Sequence, residues 1–139
     1  MSRKGSGSTF AGAMHAIDTN VLVRLLTRDD PRQLAVAEAF VEQGAWVSVL
    51  ALAEATWVLA AVYESNPAQI ALAVEMLLNH QHLTLQESEV VTAALETFRR
   101  RPTLGFSDCL LVELARRAGH LPLGTFDRNL ARVDGATRL

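Results

Sequence analysis

His15-Ala16-Ile17-Asp18-Thr19-Asn20-Val21-Leu22-Val23-Arg24-Leu25-Leu26 decides the fold class. An apolar lead-in delivers one carboxylate, two small polar side chains follow, and a strongly apolar run with one arginine comes next. That order reads as a buried strand ending at Asp18, then a turn into a helix. Loops at the carboxyl ends of parallel strands form ligand crevices, so Asp, Thr and Asn at such a turn are placed for chemistry. Arg24 reads either as an anchor of this first helix or as a contact for a substrate.

Outward from this stretch, short apolar strands alternate with helices. Asp29-Asp30-Pro31 marks a helix start, with Asp30 as N-cap and Pro31 at the first helical position, and Leu34, Ala37, Ala39, Phe40 and Val41 supply an apolar face closed by Gly44. Trp46 to Val49 is a second strand, followed from about Leu50 to the neighbourhood of Tyr63 by a buried helix carrying Glu54, Trp57, Val58 and Ala61. Asn66-Pro67 opens a helix through Leu78, and His82 to Gln86 is a third strand. Ser88 is expected to cap the next helix, whose basic Arg99-Arg100-Arg101 end suits the helix dipole. Ser107 is expected to cap another, with Leu110, Leu111, Leu114 and Ala115 inward and Gly119 at its end. Leu121 to Thr125 is a fourth strand, Phe126 to Leu130 a tight turn or helix start, and Ala136 to Leu139 a final edge strand. Strands alternating with helices in this way imply α/β architecture with a mostly parallel sheet covered on both faces.

Length and composition fit one such domain. The chain has 139 residues, 50% of them hydrophobic and 20% charged, which excludes general disorder. Residues 1–13 carry Gly5-Ser6-Gly7-Ser8 where a signal peptide would have its apolar core, and read as a flexible leader of cloning origin before a domain at 14–139. Removing Arg3 and Lys4 with it lowers the 13 cations to 11 against 15 acids, a formal charge of −4. No bulk positive charge therefore favours nucleic acid. Lys4 is the only lysine, so all later cations are arginine. Arginine matches phosphate well, although a general arginine bias produces the same count. Cys109 stands alone and the four histidines are scattered, which leaves no disulfide framework or ordinary zinc motif. Ala45 to Tyr63 approaches the length of a membrane span, but Glu54 at its middle and the alternation at Trp46 to Val49 favour a strand and helix.

The carboxylates carry the functional reading. Asp29 and Asp30 read as caps, and Glu38, Glu42, Glu64, Glu75, Glu87, Glu89, Glu96 and Glu113 fall on or near polar helix faces. Asp18, Glu54, Asp108 and Asp127 fit that account less easily. Each has a local explanation: Asp18 and Asp127 can cap turns, Asp108 gains from a helix N-terminus, and Glu54 can pair with an arginine. Taken jointly, a parallel sheet brings all four toward one edge, where an empty cluster repels itself and a hard divalent cation relieves the repulsion. Mg²⁺ or Mn²⁺ suits such oxygen ligands, and the site suits phosphodiester hydrolysis. Thr19, Asn20, Ser107 and Thr125 are candidates to orient carboxylates or bound waters. Arg24, Arg28, Arg99, Arg100, Arg101 and Arg128 are candidates for RNA contact, and equally for surface or helix-end charges.

Ala16-Ile17-Asp18-Thr19-Asn20-Val21-Leu22-Val23-Arg24, Glu54 in Leu52-Ala53-Glu54-Ala55, Phe106-Ser107-Asp108-Cys109-Leu110-Leu111, and Gly124-Thr125-Phe126-Asp127-Arg128-Asn129-Leu130 resemble the four acidic motifs of PIN domains. Order and spacing most resemble VapC-type toxins of bacterial toxin–antitoxin pairs, over nearly all of Met14 to Leu139. The resemblance implies a three-layer α/β/α sandwich and a Mg²⁺- or Mn²⁺-dependent endoribonuclease. It further implies a cytoplasmic homodimer, neutralised by a small VapB-like antitoxin, with no membrane association. By the same resemblance Asp18, Glu54, Asp108 and Asp127 are the catalytic, metal-binding acids, supported by Asn20 and Thr125. The helix pair from Leu50 to Leu78 offers an apolar face for an antitoxin, or simply packs on itself. Two alternatives remain within the family: a solitary PIN-type RNA-processing nuclease, and a catalytically silent PIN-like protein-binding module. Dehalogenase-like phosphatases and response-regulator receivers also gather acids at a sheet edge, but both normally use a late lysine that this chain lacks.

Overall fold

A computed structural model describes residues 14–139; the leader read at 1–13 lies outside the described residues. The opening strand β1 is short, His15–Ala16, and pairs in parallel with β2, Ala45–Val47, which pairs in parallel with β3, Leu83–Leu85. Strand β4, Leu123–Thr125, pairs in parallel with β5, Ala136–Arg138, in a ladder of its own. Among the described residues every strand pair is thus parallel, and six helices cover the strands in a three-layer α/β/α arrangement. These are α1 (Thr19–Thr27), α2 (Pro31–Val41), α3 (Val49–Ala61), α4 (Pro67–Leu78), α5 (Ser88–Arg100) and α6 (Phe106–Ala118). A 3₁₀ turn, Leu130–Arg132, precedes β5.

The chain segments fold as their local chemistry directs. Asp30 accepts the Gln33 N–H at the start of α2 with Pro31 at its first position, and Asn66 and Gln69 form a reciprocal capping box on α4. Gly119 ends α6 at φ +82°, where its N–H reaches the carbonyls of Ala115 and Arg116. One core holds the layers together, with Leu22, Val41, Val47, Leu52, Val74, Val91, Cys109 and Leu110 essentially shielded from water. Within it α3 packs on both α1 and α6, and α6 packs on α5.

Several expectations are corrected. The first strand stops at Ala16 rather than Asp18, although the Ile17 N–H still reaches the Trp46 carbonyl at 3.1 Å, because Asp18 is taken up as the N-cap of α1. Neither Ser88 nor Ser107 caps a helix. Glu87, at φ +52°, and Gly105 occupy those positions, so both serines lie inside the first turn. Asp29 is not a cap; it accepts from Thr27 and Tyr63 and pairs with Arg24. Ala39 and Phe40 point outward because α2 packs mainly on α1 through Ala37 and Val41. Leu111 is exposed, about 100° around the helix from Leu110. Helix α3 is not buried all round: Leu50, Trp57 and Val62 face water while Ala51, Leu52, Ala55 and Leu59 face the core. The stretch weighed as a membrane span is divided at Ser48, which caps α3, and no described helix is long and apolar enough to cross a membrane.

Candidate functional site

Asp18 stands at the junction of β1 and α1. Its Oδ1 accepts the Val21 N–H at 3.0 Å, as an N-cap does, and Oδ2 has no partner among the described residues. The adjacent Thr19 donates its hydroxyl to Oε1 of Glu54 at 2.6 Å. A residue 35 positions away on α3 is thereby brought against the Asp18 turn, by packing of α1 on α3 rather than by any local preference. Glu54 makes no ion pair among the described residues, so the expected alternative of an arginine partner is replaced by the threonine hydroxyl.

The other two acids approach one another from the C-terminal third. Asp108 lies in the first turn of α6, half-buried. Burial raises its carboxyl above the ordinary range, and the charge of Asp127 raises it further. Asp127 closes the turn after β4. Its Oδ1 accepts the N–H groups of Asn129 and Leu130 at 2.8 and 3.0 Å, while its own N–H donates to Thr125 Oγ1 at 3.0 Å. Its Oδ2, like that of Asp18, has no partner among the described residues. The Asn129 amide donates to Thr103 Oγ1 at 3.0 Å and pins this turn to the α5–α6 connection. Thr103 escaped the sequence reading because nothing at a separation of 26 residues signals the pairing.

The four acids thus fall into two couples, Asp18 with Glu54 through Thr19, and Asp108 with Asp127. Helix α3, which carries Glu54, packs on both α1 and α6, the helices at which Asp18 and Asp108 stand. Among the described residues no three His, Cys, Asp or Glu side chains are drawn close enough to hold a metal ion. The donor set nevertheless fits a hard cation. All four groups end in carboxylate oxygens, two unpartnered Oδ2 atoms are exposed, and Asp108 and Asp127 repel each other. Thr125 holds the Asp127 turn, whereas Asn20 and Ser107 make no side-chain hydrogen bond among the described residues. Beside Asp18 opens a groove of about 930 Å³ between α1 and α2, walled by Val21, Val36 and Phe40 with Arg24 and Arg32; it reaches none of the other three acids.

The candidate arginines differ in how they are engaged. Arg24 donates to Gln33 at 2.7 Å, to Tyr63 at 3.0 Å and to Asp29 at 3.3 Å, tying α1 to α2 and to the end of α3. The Tyr63 hydroxyl is the foremost influence holding this guanidinium protonated, and Thr27 is the foremost one holding Asp29 ionised. Arg28 pairs with Glu38, Arg99 with Glu75, and Arg101 donates to the Arg132 carbonyl. Arg100 and Arg128 have no partner among the described residues.

The model of the family described as PIN domain matches residues 16–136. No match was found among curated proteins or among solved structures.

Proposed function

On the premise that this chain belongs to the PIN domain family, a nuclease-type fold, we propose that it is a divalent-metal-dependent endoribonuclease acting as the toxin of a VapC-like toxin–antitoxin pair. The observation that supports the reading is the 2.6 Å hydrogen bond to Glu54 from Thr19, the residue after Asp18, across 35 residues of sequence. In this reading Asp18, Glu54, Asp108 and Asp127 hold Mg²⁺ or Mn²⁺, the substrate is RNA, and the protein works in the cytoplasm. It is a homodimer when active, and a VapB-like antitoxin silences it.

Held by these carboxylates, a cation of this kind would supply Lewis-acid chemistry to the phosphoryl group and to an attacking water. The chain's own residues prepare that chemistry. Thr19 orients Glu54, and Val21 fixes Asp18 by one oxygen so that the other projects outward. Asn129 and Leu130 do the same for Asp127, and Thr125 keeps the turn from opening. Pinning one oxygen of each aspartate limits the rotamer freedom that would be lost on ligation.

The test is cleavage of single-stranded RNA by the purified protein, free of any partner. Cleavage is expected with Mg²⁺ or Mn²⁺ and loss of it with chelator. Undiminished cleavage in chelator, or none in either metal, overturns the reading.

A further inference from the structure

Four of the six arginines that are candidates for RNA contact are spent inside the fold. Arg24, Arg28, Arg99 and Arg101 all hold intramolecular partners, which leaves Arg100 and Arg128 without one among the described residues. The formal charge of the chain is −2, and the candidate site is built on carboxylates. Attraction to phosphate is therefore a weak source of affinity here, and an RNA ligand needs contacts that carry no charge.

Two large side chains at the site are left in water. Trp57, three residues after Glu54 on α3, is 65% exposed, and Phe126, the residue before Asp127, is 81% exposed. Both stand on firm supports. Opposite Trp57, α3 is buried through Ala51, Leu52, Ala55 and Leu59, and the Phe126 backbone is clamped by the bonds from Asp127 to Thr125 and from Asn129 to Asp127. Aromatic faces held this way accept a stacked base with little loss of conformational freedom. Beside Phe126, just past Asp127, Arg128 is exposed and unpaired among the described residues.

We propose that Trp57, beside Glu54 on α3, and Phe126, beside Asp127, are base-stacking residues that grip unpaired nucleotides of an RNA substrate, with Arg128 holding a neighbouring phosphate. This rests on the nuclease reading of the site and names how its substrate is held. A protein partner fits the same surface less well, because an apolar face laid over Trp57 and Phe126 would strip water from Glu54 Oε2 and Asp127 Oδ2, the oxygens of those carboxylates that have no partner among the described residues. RNA stacked on the rings leaves those carboxylates wet.

The experiment uses the full chain and two uncleavable probes, a sequence-randomised 2′-O-methyl single-stranded RNA and an abasic oligomer of the same length. Trp57→Ala and Phe126→Ala should each weaken binding of the first by about tenfold and leave the second unchanged. Trp57→Phe and Phe126→Tyr should restore affinity, and stacking should quench Trp57 fluorescence. Both positions are exposed, so thermal melts should match the wild type. Equal losses for both probes, no loss for either, or no RNA binding by the wild type overturns the proposal. So does a variant that shifts the sedimenting species while keeping RNA affinity, which would make this face a protein interface. Wild-type protein that cleaves RNA while the alanine variants bind normally refutes the stacking and spares the nuclease reading. Stacking without metal-dependent cleavage does the reverse.

Discussion

Replacing Asp18 by asparagine and by alanine separates two duties of one side chain. Oδ1 caps α1 through Val21 at 3.0 Å, and Oδ2 is without a partner among the described residues and open to a ligand. Alanine removes both oxygens; asparagine keeps an acceptor for the cap and deletes the charge. Loss of an N-cap costs about 1 kcal/mol, which for a domain of this size lowers Tm by about 3–5 °C. Asp18→Ala should show that drop, and Asp18→Asn should melt close to the wild type. Both should lose at least about a hundredfold in metal-dependent cleavage, since a neutral amide is a far poorer ligand for a hard cation. The assay pairs a thermal melt in chelator with cleavage of a fluorophore–quencher RNA in Mg²⁺. Full cleavage by Asp18→Asn would remove Asp18 from the ligand set. A melt for Asp18→Asn as low as that of Asp18→Ala would refute the capping assignment.

Asp108→Asn should stabilise the metal-free protein at neutral pH while abolishing cleavage. Its carboxyl is raised first by burial and then by Asp127, and a group raised in the folded state contributes stability below its unfolded pKa that is lost as pH climbs through the raised value. An unchanged or lower Tm in chelator would contradict this. The Cys109 thiol, buried and next to Asp108, is pushed up to about 11 from 9.0. It should resist alkylation at pH 8 in the native protein, and the stability it contributes should fade between about pH 9 and pH 11; a Cys109→Ala variant with the same alkaline decline would show the thiol to be irrelevant. Arg128→Glu should weaken RNA binding and flatten its salt dependence more than Arg99→Glu does, because Arg99 is already neutralised by Glu75 at 3.2 Å. Equal effects would mean that pairing does not decide which arginine reaches the substrate.

The alternation of apolar strands with capped helices was legible because it depends on neighbours in sequence. Asp30-Pro31 and Asn66-Pro67 act within four residues, and their helices begin where those signals lie. Side-chain direction was less legible. Trp57 belongs to a segment so apolar that periodicity marks no wet side, and only the packing of α3 against α1 and α6 shows which residues remain outside, while Leu111 sits at the edge of the apolar stripe of α6 beside buried Leu110. The serine caps failed for a related reason. A hydroxyl near a helix start is a common signal, but a left-handed Glu87 and an extended Gly105 begin those helices one or two residues earlier. Of the candidate site, the four acids stood out in sequence by lacking ready structural excuses. The threonine links did not: Thr19 to Glu54 and Thr103 to Asn129 join elements 35 and 26 residues apart.

The separate two-stranded ladder of β4 and β5 has a consequence for the order in which the molecule opens. Three residue pairs join these strands, Leu123 with Ala136, Gly124 with Thr137 and Thr125 with Arg138, and exposed Gly124 and Arg138 leave that ladder poorly shielded. Local unfolding starts where backbone bonds are exposed and apolar contacts few. Amide hydrogens of the last seventeen residues should therefore exchange ahead of those in α3 and α5, and the Asp127 turn, rooted in that ladder, would detach before the helices that carry the other three carboxylates. A ligand gripping Asp127 together with those helices would slow exchange across the whole C-terminal segment, making isotope uptake there a gauge of site occupancy independent of turnover.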